Sequence, residues 1–522
     1  MLTLSVPSLD PAFPHPAETR PKAVSAWLAR LPYASPVEAA QQLVTALYAL
    51  NRRPLDETAR TTLLALYRPV VARVAASLET LLAESGVPPH AQQRQIGALL
   101  RELQIEHSIG YKHLLLALTQ RRFGLLHARL TTDITARLMA ALRDLQIACQ
   151  LTRTLLPPGL WQELHALYAY AQTAKLTDSA ADDAPAPGLA YRQALLMALA
   201  DPPHMSHAEI IHTRRYLDQF AALTQLGRAP VPTHRGFAIR TDDDAAPSLH
   251  TDNPPPAPLW LDTEALCRHL HDSLVQLRGG AMPHSVGLSP EMDSEFNRSL
   301  CKRLLRQWSS GAVRTFNRYA TPGRTVQTVA GVSAIHRLLE MAPRAAQSDL
   351  DDADEQAIHV VEPSLAAPAP ASTIEWISYN DSAAGLGLSG TPDAPLNLKV
   401  GDPLAVRVDD AAEWSLGVIR WIRMRDARQV EFGVERLAPN VQPAWVRPLR
   451  GNKTPEPALF VPGLTALKQQ DRLLLPRHLY QVGMDAELWH TSHLYMLTFG
   501  RRFEHTPSFD LIDFTIFADV QT

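Results

Sequence analysis

The chain of 522 residues is 46% hydrophobic and 20% charged, within the globular range, which excludes disorder throughout. Its 50 Lys and Arg nearly balance its 53 Asp and Glu, so the basic excess of a general nucleic-acid binder is missing. Cys149, Cys267 and Cys301 stand far apart and form no CxxC, which argues against a disulfide framework or a Cys-rich zinc site.

At about 150 residues per domain the length predicts three domains or slightly more. The opening residues 1–20 hold Pro7, Pro11, Pro14 and Pro16 and predict a disordered or loosely draped leader. They lack the early positive charge and apolar run of a secretory signal. Apolar stretches elsewhere stay shorter than the roughly 18–20 residues of a membrane span. The expectation is therefore a cytoplasmic protein.

From residue 21 to about 230 the pattern is helical, as a bundle or a TPR-like array. Val37, Ala40, Leu43, Leu47 and Leu50 recur at helical spacing, with Ser35 and Pro36 as a start signal. Similar segments fall at about 55–84, 90–108, 109–122, 127–150, 158–174, 189–200 and 206–227, with Asp56 and Thr132 as candidate caps. Residues 231–312 read as a mainly helical connection, with a short strand at Gly236–Arg240 and helices at about 263–277 and 289–310.

After Ser310 the texture turns to β. Strands are predicted at 325–329, 373–379, 403–408, 416–424 and 430–434, with the turn of the last pair at Asp426. A helical segment at 332–342 and an acidic, Pro-rich stretch at 349–372 lie between the first two strands. The composition of residues 345–372 predicts mobility. The last part, 451–522, alternates again and predicts a second β module.

Two short motifs stand out in the first β region. Arg314-Thr-Phe-Asn-Arg318 is an RxxxR before a strand, and Asn380-Asp-Ser-Ala-Ala-Gly385 is an NxSxxG at the end of another. Leu416-Gly-Val-Ile-Arg-Trp421 and Val430-Glu-Phe-Gly-Val434 follow in order. This ordered set resembles the PilZ domain family of bacterial cyclic di-GMP receptors over residues about 313–438, roughly a quarter of the chain. The resemblance implies an α+β multidomain protein: a helical N-terminal half, a PilZ-like antiparallel β-barrel at 313–450 interrupted at 332–372, and the β module at 451–522. It also implies a cyclic di-GMP site built from Arg314, Arg318, Asn380, Ser382 and Gly385.

The chemistry of those residue types suits the ligand. A guanidinium makes two parallel hydrogen bonds to guanine O6 and N7, or forks onto a phosphate. An Asn amide oxygen can accept from guanine N–H groups, and a Ser hydroxyl can bond a base edge or phosphate. A Gly permits close backbone approach or a positive φ. One departure from the family pattern is the 62-position separation of Arg318 and Asn380. An insertion after the first strand accounts for it at small closure cost. The acids Asp349, Asp351, Asp352, Asp354 and Glu355 within that insertion are potential competitors for the arginines.

Other candidates carry less. His204, His207, Glu209 and His212 share no consistent helix face, nor do Cys267, His269 and His271. They are read as surface, capping or packing groups, with no metal and no cofactor expected. Trp376 and Trp421 are read as barrel core. No GxxxxGK[ST], GxSxG or HExxH occurs, so no enzyme is expected. The expected function is a second-messenger effector that signals to an unknown protein partner through the helical half or the last β module. The alternative is a barrel that serves only as a protein-binding scaffold.

Overall fold

The computed structural model describes the chain except residues 1, 121–124, 229–235, 250–257, 311–318, 321–322, 342–372, 383, 393–395, 410, 412, 427, 451–453, 464–468 and 521–522. It divides into two compact units. The first comprises Met1–Ser85 and Pro89–Arg314, the second Gly86–Pro88 and Thr315–Thr522. Among the described residues no helix is long and apolar enough to cross a membrane.

The first unit is built on helices α1 (Pro21–Leu28), α2 (Pro36–Asn51), α3 (Glu57–Leu82), α4 (Ala91–Gln120), α5 (Leu125–Leu151), α6 (Leu160–Thr173), α7 (Pro187–Leu199) and α8 (His207–Phe220). Asp56 caps α3 by accepting from the Ala59 amide. Ser206 and Glu209 close a reciprocal capping box on α8. Thr132, expected as a cap, lies inside α5 and donates to the Ala128 carbonyl. The segments expected at 90–108 and 109–122 are one helix, α4. Gly110 does not break it, because its bare face receives Leu64 of α3. A Cβ there would stand 2.6 Å from a Leu64 methyl.

Residues 231–312 are not a mere connection. Strands β1 (Gln225–Gly227), β2 (Phe237–Ile239), β3 (Ser248–Leu249) and β4 (Leu259–Asp262) form a small sheet in the order β1-β4-β2-β3. Phe237, Leu261, Leu270 of α9 (Glu264–Arg278) and Trp308 of α10 (Ser294–Ser310) share one core with Leu145, Leu164 and Leu196 of the preceding helices. The leader also differs from expectation: Leu4 is buried in that core, and the Asp10 amide donates to the Arg52 carbonyl.

The second unit holds two closed six-stranded antiparallel barrels. The first is built from β6 (Thr325–Ala330), β7 (Ile374–Ser382), β8 (Gly385–Gly390), β9 (Pro403–Val408), β10 (Ser415–Met424) and β11 (Val430–Ala438). The pairing of β7 with β8 closes the ring β7-β6-β9-β10-β11-β8, and β5 (Tyr319–Ala320) pairs with β7. Val326, Trp376, Leu388, Ile422 and Phe432 fill its interior. The second barrel runs β12-β13-β14-β17-β16-β15. Its strands are β12 (Gln442–Pro448), β13 (Glu456–Val461), β14 (Arg472–Pro476), β15 (Asp485–His490), β16 (His493–His505) and β17 (Phe509–Val520). Strand β12 therefore belongs to the second barrel, and the boundary expected at 450 lies before Gln442. The inserted helix is α11 (Val332–Met341). Its Val332 and Ile335 join Ala405 and Val418 of one barrel and Leu459, Leu474 and Phe509 of the other in a single apolar cluster. Each Val, Leu, Ile or Phe side chain among them contributes about 1.5–3 kcal/mol when fully buried. The stretch 345–372, expected to be mobile, lies outside the described residues.

Candidate functional site

The NxSxxG residues form the closed end of the β7–β8 hairpin. Ser382 faces Gly385 across the turn. Its Oγ receives the Gly385 amide and donates to the Gly385 carbonyl, both at 3.2 Å. Asn380 pairs with Gly387 after a register shift next to Ser378. The Asn380 side chain lies over Gly387, where an added Cβ would stand 2.4 Å from its Oδ1. Gly385 is present for close approach: a Cβ there would stand 2.2 Å from the Val434 carbonyl oxygen of β11. Its φ is not among the positive ones, so a left-handed turn is not its role. Gly385, Gly387 and Gly390 also spell GxGxxG. That run is a strand paired with β7 and β11, not the strand-to-helix turn of a dinucleotide site.

A residue outside the motif holds this turn. Arg436 of β11 donates its backbone N–H to the Ala384 carbonyl at 2.9 Å. Its Nη1 donates to the Ser382 carbonyl at 3.0 Å, and its Nη2 lies 3.2 Å from an Asp381 carboxylate oxygen. One side chain thus binds two neighbouring motif residues. No spacing in the sequence signals this, because it depends on the register that sets Glu435 opposite Gly385. Next to it, Arg420 of β10 is held by Glu435 and by Glu504 of the second barrel. Burial opposes its charge, yet the bonds to Glu504 and Glu435 keep its pKa above the ordinary arginine value.

Arg314 and Arg318 lie outside the described residues. The residue after Arg318 does not: Tyr319 and Ala320 form β5 and pair with Asp381 and Asn380. The structure thus brings Asn380, Ser382 and Gly385 together and sets the strand following the RxxxR beside Asn380 and Asp381.

Several of the remaining candidates have structural partners. Trp376 is buried, donates Nε1–H to Thr328 and meets Phe432 edge-on. Trp421 is buried over Gly433. His269 lies 2.9 Å from the Tyr216 hydroxyl and packs on Phe220. Glu209 is taken up by the α8 cap and by Arg303. His207 is pushed down to about 4, chiefly by burial.

Comparison with known proteins adds three matches in chain order. Residues 22–231 match the N-terminal domain of the cyclic-di-GMP receptor FimW, 341–443 its middle PilZ domain, and 444–517 its C-terminal β-barrel domain. The PilZ match starts after the RxxxR, and its boundary with the third match falls inside β12. The cyclic-di-GMP receptor FimW of Pseudomonas aeruginosa is 26% identical over 97% of this chain and 92% of its own length.

Proposed function

From the premise that the chain carries a PilZ domain between N- and C-terminal domains of the FimW type, we propose that it is a cytoplasmic cyclic di-GMP effector that passes its ligation state to a protein partner. The observation that supports this best is the β5–β7 register. Although Arg318 and Asn380 are 62 positions apart in the chain, the strand starting at Tyr319 pairs with Asp381 and Asn380. In this reading Arg314 and Arg318 fork onto guanine or phosphate, and the Asn380 amide and Ser382 hydroxyl meet the base edges. Gly385 keeps the turn tight against β11.

One observation favours the scaffold alternative. Ser382 is bonded within its own turn, and Arg436 binds Asp381 and the Ser382 carbonyl. Ser382 and Asp381 therefore have partners within the barrel itself. Calorimetric titration of the full chain with cyclic di-GMP separates the two. Heat of binding at micromolar ligand supports the receptor, and none at high micromolar ligand leaves the scaffold.

A further inference from the structure

Strand β17 runs on past the closed ring of the second barrel. Strand β14 pairs with β17 only from Phe509 to Ile512. Strand β16 follows β17 on the other side as far as Val520. Asp513–Val520 therefore has a strand on one side only among the described residues.

Such edges are usually guarded by Lys, Pro or inward charges. This one has no Lys, Arg or Pro. It instead exposes Ile516 at 46%, Phe517 at 57% and Val520 at 37%. Phe517 is the extra residue of a bulge opposite Met496 and Leu497. The only charges on the segment are Asp513 and Asp519, and the facing stretch Leu494–Phe499 of β16 adds none. Asp513 is engaged by the Arg501 amide.

We propose that Asp513–Val520 is a docking edge for an extended segment of a partner protein, added as a strand with alternating apolar and basic side chains. Strand addition supplies backbone partners on the side where the described residues place no strand, and apolar side chains cover Ile516 and Phe517. The charge argues for a basic segment: two copies of this edge would bring four aspartates into one seam, whereas Lys or Arg complements them. The proposal does not depend on cyclic di-GMP, because no residue of the hairpin turn takes part.

The probe is a labelled nine-residue peptide of alternating Val and Lys, with a Val and Glu peptide of equal length as control. Both are titrated by anisotropy into the full chain, and amide exchange is followed with and without peptide. The expected result is at least tenfold tighter binding of the Lys peptide, weakening as salt rises, with exchange slowed in Asp513–Val520. Ile516→Lys and Asp519→Lys each reduce that affinity tenfold or more at unchanged melting temperature. Equal binding of both peptides, or unaltered exchange in this segment, overturns the proposal. So does a concentration-dependent dimer that protects the segment without peptide, since the occupant is then a second copy.

Discussion

Gly385 and Arg436 carry different parts of the same turn, and their substitutions separate ligand contact from support. Adding a methyl at Gly385 drives a carbon into the Val434 carbonyl. Overpacking of this kind costs about 1–3 kcal/mol, so Gly385→Ala is expected to lower the denaturation midpoint of the barrel as well as nucleotide affinity. An unchanged midpoint would show that the hairpin shifts freely. Ser382→Ala removes a neutral hydrogen bond inside the turn, about 0.5–1.5 kcal/mol, and is expected to weaken cyclic di-GMP no more than about tenfold. Arg436→Ala frees the Asp381 carboxylate and the Ser382 carbonyl. It is expected to reduce affinity and to speed amide exchange at Ala384 and Gly385; affinity loss with the exchange unaltered would contradict a supporting role. The NxSxxG residues were legible because they are close in sequence. Arg436 was not, since its approach to Ser382 depends on strand register.

At the scale of elements, the inserted helix α11 is the clearest case of a part whose place could not be read from its own residues. Its amphipathic pattern gives the helix, but one of its partners, Trp445, is 105 positions away from Glu340, to which it donates at 3.1 Å. Strand β8 was also missed, because Gly385-Leu-Gly-Leu-Ser-Gly390 has the composition of a loop. Small residues there admit Asn380 and Trp376 against the strand backbone. His336 of α11 supplies a pH test. It is fully buried edge-on to Trp445, with Glu340 3.6 Å from its Nδ1. Burial holds its pKa down at about 4, and Arg337 acts in the same direction. The unfolded chain takes up the proton near 6.5, before the folded one does. The stability this contributes is present above about pH 6.5 and is lost as pH falls toward 4. Denaturation of wild type and His336→Leu across that range is expected to show a steeper acid loss in wild type. Parallel curves would assign the loss to other groups.

Across the whole molecule, the change from helical to β texture near Ser310 was legible, as was the order of a helical half followed by two β modules. The contacts that join the barrels were not. They are those of α11, of Arg420 with Glu504, and of Ser508 donating to Asp402, all between segments distant in sequence. Arg420→Ala leaves Glu504 and Glu435 without their cation. With hydrogen bonds to charged groups worth about 1.5–3 kcal/mol, discounted for partial exposure, a loss of about 1–2 kcal/mol is expected in chemical denaturation. An unaffected midpoint would mean that the Arg420 ion pairs contribute nothing to joining the barrels.

The central claim is that the chain binds cyclic di-GMP through the RxxxR and the hairpin turn together. Its most direct test is calorimetric titration of the full chain with cyclic di-GMP, repeated for Arg314→Ala, Arg318→Ala and Arg318→Lys. The account predicts saturable binding by wild type and a loss of about tenfold to a hundredfold for either alanine variant. Lysine at 318 is expected to give no rescue, because an ammonium lacks the planar two-point contact. Wild-type binding left unchanged by the Arg substitutions, or no binding by wild type at high micromolar ligand, would contradict it.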